Sequence, residues 1–207
     1  MENDQHTKVT RFTVSERVVH WIVALSFLYA ALTGLALWSP RLYWLAAIFG
    51  GGVTIRAWHP LGGLLFAAVF LFMFKAWNRQ MRLDTDDRRW LRLAHRYAAH
   101  DYVSLPEAGR FNAGQKSLFW LQALNGVLLL LSGIVLWFPE SMSRALREAA
   151  ILIHPLAAIL AIAGLIVHIY MGTAATPGSL RAMTQGWVKP GWAASHHAKW
   201  YREIRRQ

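Results

Sequence analysis

The sequence contains no cysteine, which excludes disulfide bonds, iron–sulfur ligation and thiolate chemistry for this chain. Acidic residues are scarce too: 11 Asp and Glu stand against 22 Lys and Arg, so the net charge is +11. Such an excess is common in nucleic-acid-binding proteins, but here the basic residues lie between long apolar runs. The pattern therefore predicts a membrane topology and no nucleic-acid partner.

Long apolar runs are what the sequence has in abundance. Of its 207 residues, 55% are hydrophobic, against about 45–50% in soluble domains. We predict membrane spans at residues 18–38, 58–77, 117–138 and 149–175. The predicted fold is all-α, a four-helix transmembrane bundle forming one membrane domain over residues 1–207. No small-residue cleavage site follows the first apolar run at the usual distance, so no cleaved signal peptide is expected.

The basic residues orient these spans. Eighteen of the 22 Lys and Arg lie in segments 1–17, 75–117 and 173–207, and four lie in the other two connections. Because basic residues favour the cytoplasmic side, both termini are predicted to be cytoplasmic, with a cytoplasmic loop at 78–116 and tail at 176–207. Within the loop, residues 81–101 predict a short amphipathic surface helix. Six tryptophans fall near span ends, as in interfacial belts: Trp21, Trp38, Trp58, Trp77, Trp120 and Trp137.

The last span has no Asp, Glu, Lys or Arg, yet it contains His154 and His168. As a helix it is roughly 40 Å long, enough to cross a hydrocarbon core of about 30 Å. The 14 residues between the histidines correspond to about 21 Å along the axis and a rotation about 40° short of four turns. Both imidazoles therefore lie on nearly one face. An ionisable residue inside a membrane helix indicates a functional site whose partner must be found.

The predicted topology supplies those partners. His59 opens the second span from the outer side, level with His154. His20 opens the first span from the cytoplasmic side, level with His168. Imidazole pairs facing each other across a helix bundle are what a b-type haem requires, so the pattern predicts two haems about 20 Å apart. Zinc would be short of ligands at either level. Each histidine alone would more often be interfacial or hydrogen-bonded to a neighbour.

Several motifs resemble those of one known family: RVVHW at His20, RAWHP at His59, FNAGQKSLFW at 111–120, LIHP at His154, IVHIYMG at His168 and HHAKWYREI in the tail. Over essentially its full length the sequence resembles the gamma, or cytochrome b556, subunits of membrane-bound respiratory formate dehydrogenases. NAGQK and HHxxWYREI are specific to this group. The cytochrome b subunits of nickel–iron hydrogenases, with the same di-haem plan, are more distantly similar. Pro155 is a departure, because the family often has alanine there.

The resemblance implies roles for these residues. His59 and His154 would bind the outer haem b, and His20 and His168 the inner one. A quinone, menaquinone or ubiquinone, would be reduced beside the inner haem by a site that includes Asn112, Gly114 and Gln115. The implied partners are an iron–sulfur beta subunit and a catalytic alpha subunit with molybdenum or tungsten, in the bacterial inner membrane. The chain would be the electron-transfer subunit and could not oxidise formate alone. Assembly of the complex into a higher oligomer is left open.

The residues themselves leave alternatives open. The donor could instead be a nickel–iron hydrogenase or another periplasmic oxidoreductase. From a different class, the histidines could relay protons in a transporter, or the chain could only anchor peripheral enzymes. Asn112 could simply cap the third span, with Gly114 as a turn residue. For Pro155 the sequence offers no role beyond a kink near the start of the last span.

Some further residues carry weaker expectations. Five histidines in polar segments are expected to be solvated or interfacial: His6, His95, His100, His196 and His197. Arg17 and Arg56 each precede a candidate ligand by three residues, and they could pair with haem propionates or anchor at the headgroups. Gly34 and Gly133 each stand four residues before a tryptophan near a span exit. We interpret that likeness as packing geometry. Pro60 is expected in the first turn of its helix, where proline is tolerated.

Overall fold

The structure is a computed structural model that describes residues 8–99, 101 and 104–206. In chain order its helices are α1 (Val14–Trp38), α2 (Leu45–Ile48), α3 (Gly52–Trp77), α4 (Thr85–Arg92), α5 (Ala94–Ala98), α6 (Ala113–Trp137), α7 (Arg144–Tyr170), α8 (Ser179–Thr184), α9 (Pro190–His196) and α10 (Ala198–Ile204). A π-helical turn at Met171–Ala175 extends α7. Helices α1, α3, α6 and α7 are long and apolar enough to span a membrane, which confirms the predicted class of fold. The cytoplasmic placement of both termini stays a prediction.

The chain divides into two compact units. The first, here called the pocket unit, comprises Val18–Lys75 and Leu121–Leu165. The second, called the terminal unit, comprises Met1–Arg17, Ala76–Trp120 and Ile166–Gln207. The prediction of a single membrane domain over the whole chain stays a prediction.

Two of the long helices begin four residues before their apolar runs, because polar capping boxes start them. At α1, the Thr13 backbone N–H donates to the Glu16 carboxylate (2.9 Å) and Thr13 Oγ1 accepts from the Glu16 N–H (3.3 Å). At α6, Asn112 and Gln115 exchange the same two bonds, at 3.0 and 2.9 Å. These first turns are polar, so the hydrophobic pattern missed them.

In the pocket unit, parts of all four long helices pack together. Phe27 of α1 and Phe66 of α3 bring their rings to 5.4 Å between centroids. The Gln122 amide of α6 donates to the Ala161 carbonyl of α7 at 2.9 Å, which satisfies a polar side chain in an apolar interior. Aromatic contacts and interhelical hydrogen bonds thus both contribute to the core of the bundle.

Both prolines in the long helices lie well inside them. Pro60 is the ninth residue of α3, so its expected place in the first turn is wrong. The prediction failed because α3 begins at Gly52, directly after two glycines with positive φ (86° and 94°). Pro155 is the twelfth residue of α7. Each proline directly follows a candidate haem ligand, and each removes one helical donor.

The terminal unit contains the one β ladder of the described residues, which the all-α prediction did not include. Strand β1 (Val9–Thr10) pairs antiparallel with β2 (Trp187–Val188). Where one amphipathic helix was expected, two short helices occur, α4 and α5, and Trp90 and Tyr97 on them are buried against Ala113. These helices therefore contribute aromatic side chains to a core.

Trp77, expected in an interfacial belt, is buried in the terminal unit. Its indole N–H donates to Glu16 Oε1 at 3.1 Å. Its ring packs against those of Phe12 and Phe111, at 5.9 and 5.6 Å between centroids. The tryptophan position at the end of a span therefore did not indicate a lipid contact here.

A buried ion pair in the terminal unit joins α4 to α6. Lys116 Nζ lies 2.5 Å from Asp87 Oδ2, and the side chains are only 9% and 10% exposed. Removing one partner of such a pair leaves an uncompensated buried charge, which costs about 3–5 kcal/mol. By contrast, the Arg144–Glu148 pair is exposed (2.7 Å) and should contribute little.

We therefore expect Lys116→Met and Asp87→Asn each to lower the thermal stability of the detergent-solubilised protein markedly. The double variant should recover part of the loss, because no buried charge remains. Glu148→Gln is the matched control and should shift the free energy of unfolding by no more than about 0.5 kcal/mol. Equal melting temperatures for Lys116→Met and Glu148→Gln would contradict this account.

Candidate functional site

His59 lies on α3 in the pocket unit, half-buried, with its ring held by a hydroxyl of α1. Thr33 Oγ1 lies 2.9 Å from His59 Nδ1. The same hydroxyl lies 2.7 Å from the Tyr29 carbonyl. A hydroxyl has one proton to donate, and a carbonyl can only accept, so the Thr33 proton goes to Tyr29. The Thr33 oxygen must then accept, which means that His59 Nδ1 carries a hydrogen and donates it.

His154 on α7 is held in the same way by a hydroxyl of α6. Ser132 Oγ lies 2.9 Å from His154 Nδ1 and 2.5 Å from the Leu128 carbonyl. By the same proton count, Ser132 donates to the carbonyl and accepts from His154 Nδ1. The two histidines therefore have the same tautomer, with hydrogen on Nδ1.

This tautomer leaves a lone pair on each Nε2, the form in which neutral imidazole binds a metal. Across residues 8–99, 101 and 104–206, the side-chain hydrogen bonds of His59 and His154 are both made at Nδ1. A hydrogen-bond acceptor for the other ring N–H is the usual way in which a protein orients a metal-binding histidine, and here a hydroxyl takes that place. Both rings are thus in a form that can bind a metal.

The separation of the two rings fits one metal atom between them. The His59 and His154 ring centroids are 6.3 Å apart, with the planes at 79°. With metal–nitrogen bonds of about 2.0–2.1 Å and a ring radius of about 1.1 Å, two imidazoles on opposite sides of one metal have centroids about 6.4 Å apart. The observed distance therefore leaves room for one metal atom between the two rings.

A cavity of about 600 Å³ surrounds the two histidines, within the range of about 300–1,000 Å³ typical of cofactor sites. Segments of all four long helices line it, and the lining is largely apolar. Among the lining residues that the structure describes, Arg56 alone carries a charge. An apolar cavity with two metal-binding nitrogens and one cation suits a flat, hydrophobic cofactor that carries carboxylates.

Two glycines leave room for the imidazole rings of His59 and His154, because they have no side chain. A Cβ on Gly34 would lie 3.1 Å from His59 Cε1, and a Cβ on Gly133 would lie 3.3 Å from His154 Cε1. Both distances are too close for an unmoved ring. The likeness between these glycines, interpreted from sequence as packing geometry, is a shared contact with a candidate ligand.

A metal site built from protein side chains alone has less support in this structure than a haem. Within the described ranges, no group of three or more His, Cys, Asp or Glu side chains is arranged to hold a metal ion. A metal between His59 and His154 would need its remaining ligands from a cofactor, as a porphyrin supplies them. Zinc needs about four protein or water ligands, so the residues present fit haem better.

The other candidate pair is divided between the two units. His20 is half-buried in the pocket unit, where its ring meets that of Trp21 edge-on at 5.4 Å. His168 is exposed in the terminal unit. The assignment of both to an inner haem stays a prediction.

The candidate quinone residues lie at the start of α6. Asn112 and Gln115 use their side-chain oxygens in the capping box described above, and Asn112 is buried. A Cβ on Gly114 would lie 3.4 Å from Asn112 Oδ1 and from the Trp90 ring. The capping alternative is therefore present in the structure. A quinone role would fall to the Asn112 amide group, which also bonds to the Tyr97 hydroxyl, and to the adjacent backbone.

Comparison with known proteins identifies the family of this chain. A family model described as prokaryotic cytochrome b561 matches residues 11–186. The chain belongs to this cytochrome b family. The match includes all four candidate haem ligands and all three candidate quinone residues, and it confirms the resemblance inferred from the sequence motifs.

Several curated relatives are similar over nearly the whole chain. The cytochrome b556(fdo) subunit of formate dehydrogenase from Escherichia coli K12 is 35% identical over 96% of this chain and 94% of its own length. The formate dehydrogenase cytochrome b556 subunit of Haemophilus influenzae is 33% identical, with 98% and 86% covered. The nitrate-inducible cytochrome b556(Fdn) subunit of Escherichia coli K12 is 31% identical, with 95% and 91% covered.

One histidine of this cytochrome was misjudged from the sequence. His197, expected to be solvated, is 1% exposed and lies at the centre of the terminal unit. Its Nδ1 donates to the Gly109 carbonyl at 2.8 Å, and its Nε2 accepts from Arg11 at 3.0 Å. The polar composition of the tail hid this role, because the partners of His197 come from segments far away in sequence.

Arg11 is the other buried polar residue of this cluster. It is 3% exposed, donates to the Arg110 carbonyl at 2.6 Å, and lies over the rings of Trp192 and Trp200. Burial, together with the charge of Arg110, lowers the pKa of Arg11 to about 9. Arg11 therefore still carries its charge at neutral pH.

The remaining histidines outside the spans differ in surroundings. His95 is exposed, as expected. His196 is partly buried and stacks on Trp192, with 4.8 Å between centroids. His6 and His100 lie outside the described residues.

The buried His197 predicts a pH dependence of stability. Burial and the neighbouring Arg11 charge hold the pKa of His197 well below its usual value of 6.5. The unfolded chain takes up a proton near pH 6.5 that the folded chain does not, so stability falls as the pH drops below that value. The slope from this one group is about 1.4 kcal/mol per pH unit.

We therefore expect His197→Gln to flatten the fall in melting temperature between pH 6.5 and pH 5, although the variant is less stable at pH 7. Thermal unfolding in detergent at several pH values measures this. His196→Gln, at a less buried neighbour, is the control and should keep the wild-type slope. An unchanged slope in His197→Gln would show that other groups cause the acid sensitivity.

Proposed function

We propose that this membrane cytochrome is the cytochrome b subunit of a respiratory formate dehydrogenase in the bacterial inner membrane. Its role is to pass electrons from a periplasmic iron–sulfur partner, through two haems b, to a quinone near the cytoplasmic side. A haem held by these histidines would supply one-electron redox chemistry. The polypeptide supplies the ligands, the spacing and an apolar surrounding.

The observation that carries the proposal is the His59–His154 pair. The 6.3 Å between ring centroids suits one bis-imidazole iron, and both rings keep a lone pair on Nε2. Helices α3 and α7 hold the ligands, while α1 and α6 hold the hydroxyls that orient them. The residues that surround the pair are largely apolar. This pair would bind the outer haem.

Arg56 is the residue we assign to a propionate of the outer haem. It lines the cavity three residues before His59, and a guanidinium can bind a carboxylate through two parallel hydrogen bonds. Arg17, the other candidate, donates to the Thr184 carbonyl at 2.7 Å, so one of its nitrogens is already engaged.

Support for the remaining parts of the proposal comes from the family and from the charge pattern. His20 and His168 would bind the inner haem, and Asn112, Gly114 and Gln115 would form part of the quinone site beside it. The relatives with curated names are subunits of formate dehydrogenases, which favours an iron–sulfur beta subunit and a molybdenum or tungsten alpha subunit as partners. Because the chain has no cysteine, the iron–sulfur clusters must belong to those partners.

A reduced-minus-oxidised visible spectrum of the purified chain tests the haem assignment. We expect the α band of a b-type cytochrome and a content of two haems per chain. His59→Ala, His154→Ala, His20→Ala and His168→Ala should each remove about one haem, since each variant would lose one of the two histidines that would hold it. His95→Ala, at an exposed histidine of α5, is the control and should keep both.

Two results would contradict this assignment. Absence of the α band would end the cytochrome proposal and favour a proton-relaying transporter or a simple anchor. Retention of both haems in His59→Ala and His168→Ala would show that the ligands are wrong. Co-purification of the complex distinguishes a formate dehydrogenase from a nickel–iron hydrogenase or another periplasmic donor.

The quinone role of Asn112 can be separated from its capping role. Asn112→Asp keeps a side-chain oxygen for the Gln115 N–H, so the N-cap is preserved, but it removes the amide donor. We expect slower quinone reduction by the whole complex with both haems still bound. Gln115→Glu keeps the capping box in the same way and serves as the companion variant. Wild-type quinone reduction in Asn112→Asp would confine Asn112 to capping.

A further inference from the structure

The surroundings of the outer haem ligands are built twice from the same local pattern. Thr33 begins the segment TGLALW of α1, and Ser132 begins the segment SGIVLW of α6. In each, the hydroxyl accepts from a histidine Nδ1, and the next residue is a glycine at which a Cβ would crowd that histidine's Cε1. Each histidine is followed by a proline. Both candidate ligands thus have the same surroundings: a hydroxyl that accepts the Nδ1 hydrogen, a glycine beside the ring and a proline after the histidine.

We propose that Thr33 and Ser132 are positioning residues that set the reduction potential of the outer haem. They do so by holding His59 and His154 in the Nδ1–H tautomer and by accepting that hydrogen. The inference rests on the proposed function, because it assumes that both histidines bind haem iron.

The hydroxyls are well suited to this role. Each donates its own proton to a helix carbonyl, at 2.7 Å for Thr33 and 2.5 Å for Ser132. This polarises the oxygen and makes it a better acceptor. In an apolar cavity, water does not compete for the imidazole N–H. A hydrogen bond of this kind raises the basicity of a metal-binding imidazole, which stabilises ferric iron more than ferrous iron.

Helix structure alone does not require these contacts. Ser26 of α1 lies in the same unit and is 6% exposed, and its hydroxyl donates to the Ile22 carbonyl at 2.8 Å in the same way. The bond from a hydroxyl to the preceding turn is thus made without a histidine. Thr33 and Ser132 add to it the acceptance of an imidazole hydrogen.

The experiment is a potentiometric titration of the haem α band in the purified complex. Thr33→Val keeps the shape of the side chain but removes the hydroxyl, and Ser132→Ala removes the other one. We expect each variant to raise the midpoint potential of the outer haem. The expected size is about a tenfold change in the ratio of ferric to ferrous haem at a fixed potential, which corresponds to about 59 mV for a one-electron couple. The double variant should shift it further.

Three comparisons separate this role from a structural one. Ser26→Ala, the matched control, should leave both potentials unchanged. Thr33→Ser, which keeps the hydroxyl, should restore the wild-type value. The inner haem is an internal reference because these hydroxyls do not hold its proposed ligands. Its midpoint potential should stay unchanged. Should Thr33→Val retain too little haem to titrate, loss of haem there with retention in Thr33→Ser and Ser26→Ala supports the same role.

Outer-haem potentials equal to wild type in Thr33→Val and Ser132→Ala would overturn the inference. So would an equal shift or an equal loss of haem in Ser26→Ala, because any buried hydroxyl would then have the same effect. Failure of the proposed function looks different: His59→Ala and His154→Ala would then keep the full haem content, whatever the hydroxyl variants do.

Discussion

The pocket unit depends on one constraint: an uncharged imidazole in an apolar interior must find an acceptor for its ring N–H. Leaving such a donor buried and unpaired costs about 1–3 kcal/mol. Thr33 and Ser132 meet this need because their own protons are already given to the preceding helical turn. Two helices must therefore stay in register with two others, since each histidine and its acceptor lie on different helices.

The terminal unit differs from the pocket unit because its interior packs charged side chains together with aromatic rings. Glu16 accepts from Arg110 at 2.8 Å and from Trp77 at 3.1 Å, while His197 accepts from Arg11. Neutral His197 can accept from a cation because burial keeps its proton off. The unit thus gathers the N-terminus, the 76–120 segment and the C-terminal tail around a polar network. The stability of the terminal unit therefore depends on the protonation state of His197. The pocket unit depends instead on the tautomer of His59 and His154.

Sequence patterns predicted the long helices and the His59–His154 pair better than they predicted the interior of the terminal unit. Hydropathy and charge predicted the four long helices, because membrane spans have a strong compositional signal. They missed the polar first turns at Thr13 and Asn112, where capping sets the helix start. The pairing of His59 with His154 followed from depth alone, and the 6.3 Å between ring centroids agrees with it. The burial of His197 could not be foreseen, since its partners at Arg11 and Gly109 lie 186 and 88 residues away.

The prolines at 60 and 155 are best understood from the same local chemistry. A proline cannot donate to the carbonyl four residues earlier, which belongs to Arg56 in α3 and to Ile151 in α7. Both of those residues line the cavity, as do the prolines themselves. Each histidine thus lies where its helix has lost one backbone bond on the cavity side. Because hydroxyl, glycine, histidine and proline recur together on α1–α3 and on α6–α7, Pro155 belongs to this arrangement as much as Pro60 does.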